Sequence, residues 1–447
     1  MEKQKIQLSD HFTYKKLFRF TLPTIITMIF TSVYVIVDGF FVSNFVGKTS
    51  FAAINIIIPA VLTISAFGYM FGSGGTALVA FFLGQGKKEK ANETFSLISY
   101  SAFVIGIVLS IILFIFMEPL SIALGAEGAL LNDCIVYGRI LVLAEPFLIW
   151  QVMFQSFFIA AEKPKLGLLV NVLAGLTNMI LDAVLVLGLP MEYKLAGAAI
   201  ASAASQVVGG IIPVIYFARK NTSLLRLGKT HFDKGALLKA SSNGLSEFLS
   251  NISLSLVSLL FDIQLLKIAG ETGVAAFGIL MYVSMIYTAI FFGYTMGTSP
   301  IISFHFGAKN NSELKNLLKK NNIILIITGV LMFIACELFA GPISFMFGGY
   351  DQALYDLTVC GFKIFSFAFI SMGFNIHVSA FFTALNNGIV SGVYSFFRTF
   401  IFQCVAVLTL PLIVGIDGIW WSLVVAEIIS TVVGVVILLK NRKKYQY

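Results

Sequence analysis

Six carboxylates interrupt the long apolar stretches of this 447-residue sequence, and they are the residues best suited to do chemistry. An ionisable group is costly at membrane depth, so it is usually held there to meet an ion, a proton or a charged ligand. No HExxH motif or plausible Ser/His/Asp set accompanies them, which argues against an intramembrane enzyme. The six are Asp38, Glu145, Asp182, Glu247, Asp262 and Glu427.

Twelve apolar runs must position these carboxylates. The sequence is 58% hydrophobic and 12% charged, whereas water-soluble domains carry about a quarter charged residues. A bilayer core needs about twenty helical residues, and the continuously apolar runs do not alternate as β-barrel strands do. We therefore predict an all-α integral membrane protein with twelve transmembrane helices. Their predicted spans are Leu17–Asn44, Phe51–Leu83, Glu93–Met117, Ile135–Ala160, Pro164–Leu187, Leu195–Phe217, Leu237–Leu265, Val274–Phe304, Asn321–Phe347, Leu357–Ala384, Ile389–Val414 and Ile419–Leu439.

The distribution of basic residues predicts the orientation. With the N-terminus inside, most of the 30 Lys and Arg residues, including Lys3 and Lys5, fall in inner segments, whereas the outer loops keep Lys48, Lys194 and Lys267. Both termini are then cytoplasmic in the inner membrane, and the first apolar run, too long for a signal peptide, is expected to remain as helix 1. The net charge of +8 follows from this topology and from contact with anionic lipid, so no nucleic-acid partner is expected.

A repeat of about 222 residues relates the two halves of the chain. Gly75-Thr76 matches Gly297-Thr298, and Gly47 with Ala52-Ala53 matches Gly270 with Ala275-Ala276. Six helices per half make the repeats parallel, around a central cavity, which is a geometry typical of transporters. We predict an N-terminal six-helix bundle over residues 1–217, a basic cytoplasmic linker over 218–236 and a C-terminal bundle over 237–447.

Two of the acids are predicted to lie at the same depth. Asp38 and Asp182 are each about six residues, or roughly 9 Å, from the outer ends of their helices. Asn178 precedes Asp182 by one helical turn, Ser202 lies roughly 10 Å deep in helix 6, and Tyr137 lies near the outer start of helix 4. These oxygens would suit Na⁺, or a proton shared by a carboxylate pair. For Asn178 and Ser202 the alternative is hydrogen bonding between helices.

Five short motifs carry a family resemblance over essentially the whole chain. They are Leu22-Pro23 with Val37–Val42, Gly75–Lys87, Asn178 with Asp182, Gly197–Ser202 and Pro300–Lys309. In this order they resemble the multidrug and toxic compound extrusion (MATE) family, in its MepA-like and DinF-like bacterial branch.

The resemblance implies secondary active efflux of organic, mostly cationic amphiphilic compounds in exchange for H⁺ or Na⁺, by a protein expected to be a monomer without a cofactor. The sequence agrees, because it contains no GxxxxGK[ST] phosphate loop for an ATPase. The resemblance also implies cation coupling at Asp38, Asn178 and Asp182, and more loosely at Tyr137 and Ser202, where family members more often carry Thr. Asp38, Asn178 and Asp182 would then be the metal ligands of a Na⁺-coupled protein.

Other residues are candidates for the substrate cavity. Glu247 lies at mid-membrane depth, where an acid attracts an organic cation, and Glu145 is expected either to contact substrate or to pair with Arg139. Gln151, Met153 and Phe154, in the aromatic stretch Trp150–Phe158, are more expected in the lipid-facing or core surface than in an adaptable drug surface.

The C-terminal half departs from the family pattern, because its helix 10 carries no carboxylate beyond its first residues. A coupling site there is therefore doubtful, and Asp262, near the repeat counterpart of Asp38, is expected to be a relic. We expect Glu427 to pair within its own bundle, Arg398 to reach lipid headgroups, and His377 to be hydrogen-bonded rather than a proton relay.

The main alternative function is a flippase for a lipid-linked saccharide precursor in the wider superfamily. Such proteins usually have about fourteen helices and a cationic cavity, whereas this chain has twelve predicted helices and buried acids. The four cysteines show no ligand spacing and are expected to be buried, and pairing of Cys336 with Cys360 stays open.

Overall fold

The computed structural model describes residues 6–447, with the side chains of residues 40, 43, 44 and 48 left out. Lys3, Lys5 and the side chain of Lys48, all used in the topology prediction, lie outside this part. The described chain is helical, with these elements: α1 Tyr14–Phe45, α2 Lys48–Gly84, α3 Lys88–Ala123, α4 Gly128–Ala160, α5 Pro164–Gly188, α6 Lys194–Ala218, α7 Lys234–Asn243, α8 Leu245–Gly307, α9 Asn311–Gly348, α10 Gln352–Phe365, α11 Phe367–Ala384, α12 Gly388–Phe396, α13 Phe402–Thr409, α14 Pro411–Val414 and α15 Asp417–Tyr445.

Eleven helical stretches of the described chain are long and apolar enough to cross a membrane. One of them, α8, has 63 residues and would be roughly 95 Å long if straight, far more than a bilayer core needs. Gly270 interrupts it with φ 63° and ψ −154°, a backbone conformation that favours glycine. Counting α8 as two spans gives twelve, as the apolar runs predict, with a sharp bend in place of an outer loop.

Three breaks in the helices differ from the predicted continuous runs. The predicted seventh span begins as the separate helix α7, and Gly244, which lies between α7 and α8, packs against the carbonyl of Met70 where a Cβ atom would overlap it. The predicted tenth span divides into α10 and α11 at Ser366, whose hydroxyl donates to Glu337 at 2.8 Å. The predicted eleventh span contains a π-helix at Phe397–Ile401, a distortion that often marks a functional position.

The predicted basic linker is extended up to Asp233, which caps α7. The carboxylate of Asp233 accepts the backbone N–H of Ala236 at 3.0 Å, and this hydrogen bond lowers the pKa of Asp233 below its usual value. Asn92 on α3 accepts the backbone N–H of Arg226 at 2.7 Å. The linker is therefore bound to the N-terminal half (α1–α6) rather than hanging free of it.

The N-terminal half meets the C-terminal half (α8–α15) closely near the ends that carry the two termini. Gly84 on α2 lies against the carbonyl of Phe304, and Gly307 on α8 lies against the carbonyl of Phe81. Between α1 and α8, Gly297 packs on Thr21 and Gly293 on Ile25. Small residues permit this approach because a Cβ atom at each position would press on the partner helix. This basic side of the molecule is closed.

The four cysteines are all free thiols, so Cys336 and Cys360 do not form a bridge. Cys134 and Cys336 are buried, as expected, whereas Cys360 and Cys404 are half-buried. Cys336 packs in a core cluster of the C-terminal half with Ala340 and Phe362. These thiols are accounted for by packing.

Filling the glycine contact between α2 and α8 should weaken the closed side. We expect Gly307→Ala to lower the stability by about 1–3 kcal/mol, because the added methyl group overlaps backbone that cannot move aside freely. The melting temperature of the purified protein in detergent measures this. Gly278→Ala is the matched control in the same helix, because nothing lies within 4 Å of its Cβ position. Equal melting temperatures for the two variants would contradict the packing argument.

Candidate functional site

Two carboxylates from different helices meet inside the N-terminal half. Asp38 on α1 and Asp182 on α5 lie within hydrogen-bonding reach of each other, and Asn178 reaches Asp38 from one turn before Asp182. Asp182 is fully buried and Asn178 nearly so. The amide Nδ2 of Asn178 donates to the hydroxyl of Ser202 on α6 at 3.3 Å. The structure therefore brings together residues that are distant in the sequence.

This cluster, the acid cluster (Asp38, Asn178, Asp182), holds more acceptors than donors. Oδ1 of Asp38, both carboxylate oxygens of Asp182 and Oδ1 of Asn178 are buried without a hydrogen-bond donor among the described residues. Two ionised carboxylates cannot bond to each other, whereas one proton between them, or a cation, satisfies these oxygens. The donor set of carboxylate, amide and hydroxyl oxygens fits a hard monovalent cation as well as H⁺.

Two tyrosines border the acid cluster. Tyr137 on α4 is buried within electrostatic range of both Asp38 and Asp182, as its predicted position at the outer start of helix 4 implies. Tyr34, one turn before Asp38 on α1, lies close to Asp38 and also to Tyr69 on α2. Sequence reasoning missed Tyr34, although its spacing of four residues from Asp38 was available as a signal.

A small cavity of about 30 Å³ lies between the two halves. Its wall combines hydroxyl, aromatic and apolar side chains with a single acid, Glu247, near the start of α8. Tyr69 contributes to the wall and lies within electrostatic range of Glu247. The other lining residues are Ser73, Thr76, Ser156, Phe292, Thr295, Met296, Ser299, Pro300 and Ala380. A mostly apolar wall with one carboxylate has the chemistry to attract an organic cation, whereas the volume of the cavity in this conformation is only that of a water-sized group.

Three residues considered for this cavity, Gln151, Met153 and Phe154, lie elsewhere. Met153 and Phe154 are fully buried in the core of the N-terminal half, where Phe154 stacks on Phe217 at 5.7 Å, so they form no drug surface in this conformation. Gln151 packs against Gly209 on α6. The helix periodicity could not show which of these side chains face the core and which face the cavity, because most faces of a membrane helix are apolar. Ser156, two residues beyond Phe154, does line the cavity and was missed.

The structure also corrects the expectation that Glu145 contacts substrate or pairs with Arg139. It is fully buried on α4, is not in the cavity wall, and neither carboxylate oxygen has a hydrogen-bond partner among the described residues. Arg139 does not pair with it, and instead lies over the ring of Phe114 at 5.2 Å. Substrate contact by Glu145 is therefore not available in this conformation.

The C-terminal half holds a buried ion pair. Arg398, in the π-helix, donates through Nη2 to Oε1 of Glu427 at 2.8 Å and through Nε to Oε2 at 3.2 Å. The amide of Asn375 donates to the same carboxylate at 2.6 Å and accepts from the hydroxyl of Tyr394. The prediction that Glu427 pairs within its bundle is confirmed, whereas the prediction that Arg398 reaches lipid headgroups is wrong. The carboxylate draws the guanidinium inward.

Two further ionisable residues of the C-terminal half, His377 and Asp262, were considered in the sequence. His377 is fully buried beside Phe381, and neither ring nitrogen has a hydrogen-bond partner within residues 6–447, contrary to the expectation of a hydrogen-bonded histidine. Asp262 is half-buried on α8, in the half opposite to the acid cluster. Asp262, which lies near the repeat counterpart of Asp38, thus lies in the other half of the chain from Asp182 and Asn178, the partners of Asp38.

Known proteins identify the family. The MatE family model matches residues 23–184 and again residues 248–408, one match in each half. The chain belongs to the MATE family. It is accordingly a membrane transporter and not an enzyme. MepA of Staphylococcus haemolyticus, a multidrug export protein, is 25% identical over 99% of this chain and 97% of its own length. MepA of Staphylococcus aureus N315 is 23% identical over 96% of this chain and 94% of its own.

Solved MATE structures share the fold. A MATE protein crystallised in complex with MaL6 superposes with a TM-score of 0.91 at 22% identity, covering 99% of both chains. An outward-facing multidrug resistance MATE transporter superposes with a TM-score of 0.88 at 21% identity, covering 100% of this chain and 99% of that one. The agreement extends over all twelve spans.

The Arg398–Glu427 pair should show strong coupling in a double-mutant cycle. Removing one partner leaves an uncompensated buried charge, so we expect Arg398→Gln and Glu427→Gln each to cost about 3–5 kcal/mol. The double variant removes both charges and should cost well below the sum of the two single changes. Unfolding in a graded detergent or denaturant series gives the four free energies. Additive losses would show that the two charges do not depend on each other.

Proposed function

We propose that this protein is a cation-coupled multidrug exporter that works by alternating access and exchanges organic cations for H⁺ or Na⁺. The observation that carries the proposal is the acid cluster, in which Oδ1 of Asp38 and both carboxylate oxygens of Asp182 are buried without a donor among the described residues. Such a cluster is expensive unless an ion occupies it for part of a working cycle. The multidrug export function of the related MepA proteins supports the same conclusion.

The coupling ion binds at the acid cluster in this mechanism. A proton or Na⁺ entering between Asp38 and Asp182 relieves the repulsion between their charges, with the oxygens of Asn178, Ser202 and Tyr137 available to complete the coordination of a cation. Because Asp38 lies on α1 and Asp182 on α5, an ion between them holds these two helices together, and its release lets the two like charges push the helices apart. The ion-bound N-terminal half then has a different shape from the ion-free one.

The substrate binds in the cavity between the halves. Glu247 supplies a negative charge for an organic cation, and Tyr69 and Phe292 supply aromatic faces that attract cations. The N-terminal half forms part of the cavity wall through Tyr69, Ser73 and Thr76. Ion binding reshapes this half and thereby lowers the affinity of the cavity for the substrate. The coupling between the two ligands is reciprocal, so substrate release accompanies ion uptake.

The closed basic side supports the assignment of this structure to an inward-closed state of the transporter. With both termini at the cytoplasmic face of the inner membrane, this conformation is closed inward, and the cavity can open only outward. The bundles 1–217 and 237–447, joined by the linker 218–236, then rock about the cavity within a monomer.

Neutralising the acid cluster should uncouple transport from the ion gradient. We expect Asp38→Asn and Asp182→Asn each to reduce gradient-driven export by about 5- to 150-fold, the range of coupling free energies of 1–3 kcal/mol. Proteoliposomes loaded with a fluorescent organic cation, under either a pH or a Na⁺ gradient, measure the rate and identify the ion. Asp262→Asn is the control, a carboxylate at membrane depth outside the cluster.

Full gradient-driven transport by both Asp variants would remove the coupling site from the N-terminal half. Translocation of a lipid-linked saccharide without any transport of organic cations would instead favour a flippase. Equal loss in Asp262→Asn would show that any membrane acid has the same effect.

Glu247 should set the preference for charge in the substrate. Glu247→Gln removes the only acid in the cavity wall, so we expect the KM for a monovalent organic cation to rise by about tenfold, which corresponds to about 1.4 kcal/mol. The KM for an uncharged substrate of similar size should stay the same. Glu145→Gln, which changes a buried acid outside the wall, should alter neither KM. A larger effect of Glu145→Gln on the cation would show that the cavity wall is wrongly assigned.

A further inference from the structure

The segment before α1, residues 6–13, crosses beneath the closed side and contacts both halves. At one end, the backbone N–H of Leu8 donates to Oε1 of Glu162 at 2.8 Å. Glu162 follows α4 in the N-terminal half and has a positive φ of 59°. A non-glycine residue in this conformation is uncommon and here turns the chain sharply from α4 into α5.

At its other end the segment binds the first turn of α9 in the C-terminal half. The backbone N–H of Phe12 donates to Oε1 of Glu313 at 2.9 Å, and Nδ1 of His11 lies 2.6 Å from Oε2. The carbonyl of Phe12 accepts from Asn316 at 3.0 Å and from Lys320 at 2.7 Å. Glu313 itself is nearly buried. Bonds that involve charged groups are the stronger kind.

Two apolar side chains of the segment fill the junction between the halves. Leu8 and Phe12 are fully buried. They belong to one cluster with Ile159 of the N-terminal half and with Leu314 and Leu317 of the C-terminal half. The cluster thus closes over a boundary that has to open when the cavity faces inward. Exposing these side chains to water is costly.

We propose that residues 6–13 form a latch on the inner gate, with Glu162 and Glu313 as positioning residues that hold the two halves together while the cavity faces outward. The proposal rests on the alternating access proposed above and adds the element that stabilises one of its two states. Opening inward requires the latch to release at least one of the two glutamates. The latch therefore sets the population of the inward-open state and the rate of return from it.

The test uses the full chain in lipid nanodiscs, with the four native cysteines replaced by alanine and spin labels at Lys165→Cys and Lys315→Cys. These two lysines are exposed on either side of the junction. Double electron–electron resonance then measures the distance between the halves. We expect Glu313→Gln, and separately Glu162→Gln, to raise the inward-open population by about tenfold, the effect of about 1.4 kcal/mol.

Glu89→Gln is the control, because Glu89 is an exposed carboxylate in the first turn of α3, on the basic side of the N-terminal half and outside the latch. A tenfold shift in the Glu162 and Glu313 variants without a shift in the control supports the latch. Unchanged distance distributions in both of these latch variants overturn it, and so does a lowered melting temperature without any population shift. The readout needs no ion gradient or substrate, so failure of the acid cluster as a coupling site would leave this result unaffected.

Discussion

The absence of water from the bilayer core is the constraint on which this structure depends. Every buried polar group there must find its partner inside the protein, or else cost several kcal/mol. The backbone meets this requirement with helices along nearly the whole described chain. The buried carboxylates meet this requirement differently in the two halves of the protein.

In the C-terminal half the requirement is met internally. Glu427 is matched by Arg398 and Asn375, so the ion pair carries no net charge and needs nothing from outside. In the N-terminal half Asp38 and Asp182 have no basic partner among the described residues, and this is the reason for proposing an exchangeable ion as their partner. The two halves of the repeated fold therefore differ: one holds a buried ion pair, and the other holds two acids without a basic partner among the described residues. This asymmetry is the physical basis for placing ion chemistry in the first half.

The sequence predicted what depends on hydrophobicity and on depth along a helix. The twelve spans and the shared depth of Asp38 and Asp182 follow from apolar runs and from the rise of 1.5 Å per residue. The faces of the helices could not be predicted in the same way, because lipid and protein core are both apolar. Met153 and Phe154 were therefore considered for a drug surface but belong to the core, and the guanidinium of Arg398 was expected at the headgroups although Glu427 lies one helix away. The bend at Gly270 depends on a single backbone conformation and leaves no hydrophobic signal.

Helix α1 connects the ion site to the closed side, which explains how binding at one end can act at the other. Its outer part carries Asp38, while its inner part packs through Thr21 and Ile25 on α8. Pro23, between Thr21 and Ile25 in the inner part, removes one backbone hydrogen bond from the helix, and such a position bends more easily than regular helix. Asn171 on α5 ties the middle of α1 to its own half by donating to the hydroxyl of Thr31 at 2.8 Å.

These contacts give α1 a fixed middle and two ends with different partners. In the proposed cycle, separation of Asp38 from Asp182 when the ion leaves moves the outer end of α1 relative to the tie at Asn171. Because the inner end of α1 continues directly into the segment held by Glu313 and packs on α8, this movement reaches the contacts that keep the basic side closed. An ion of one charge can therefore bias the conformation of the whole transporter, provided that the inner contacts are only slightly more stable than the open state.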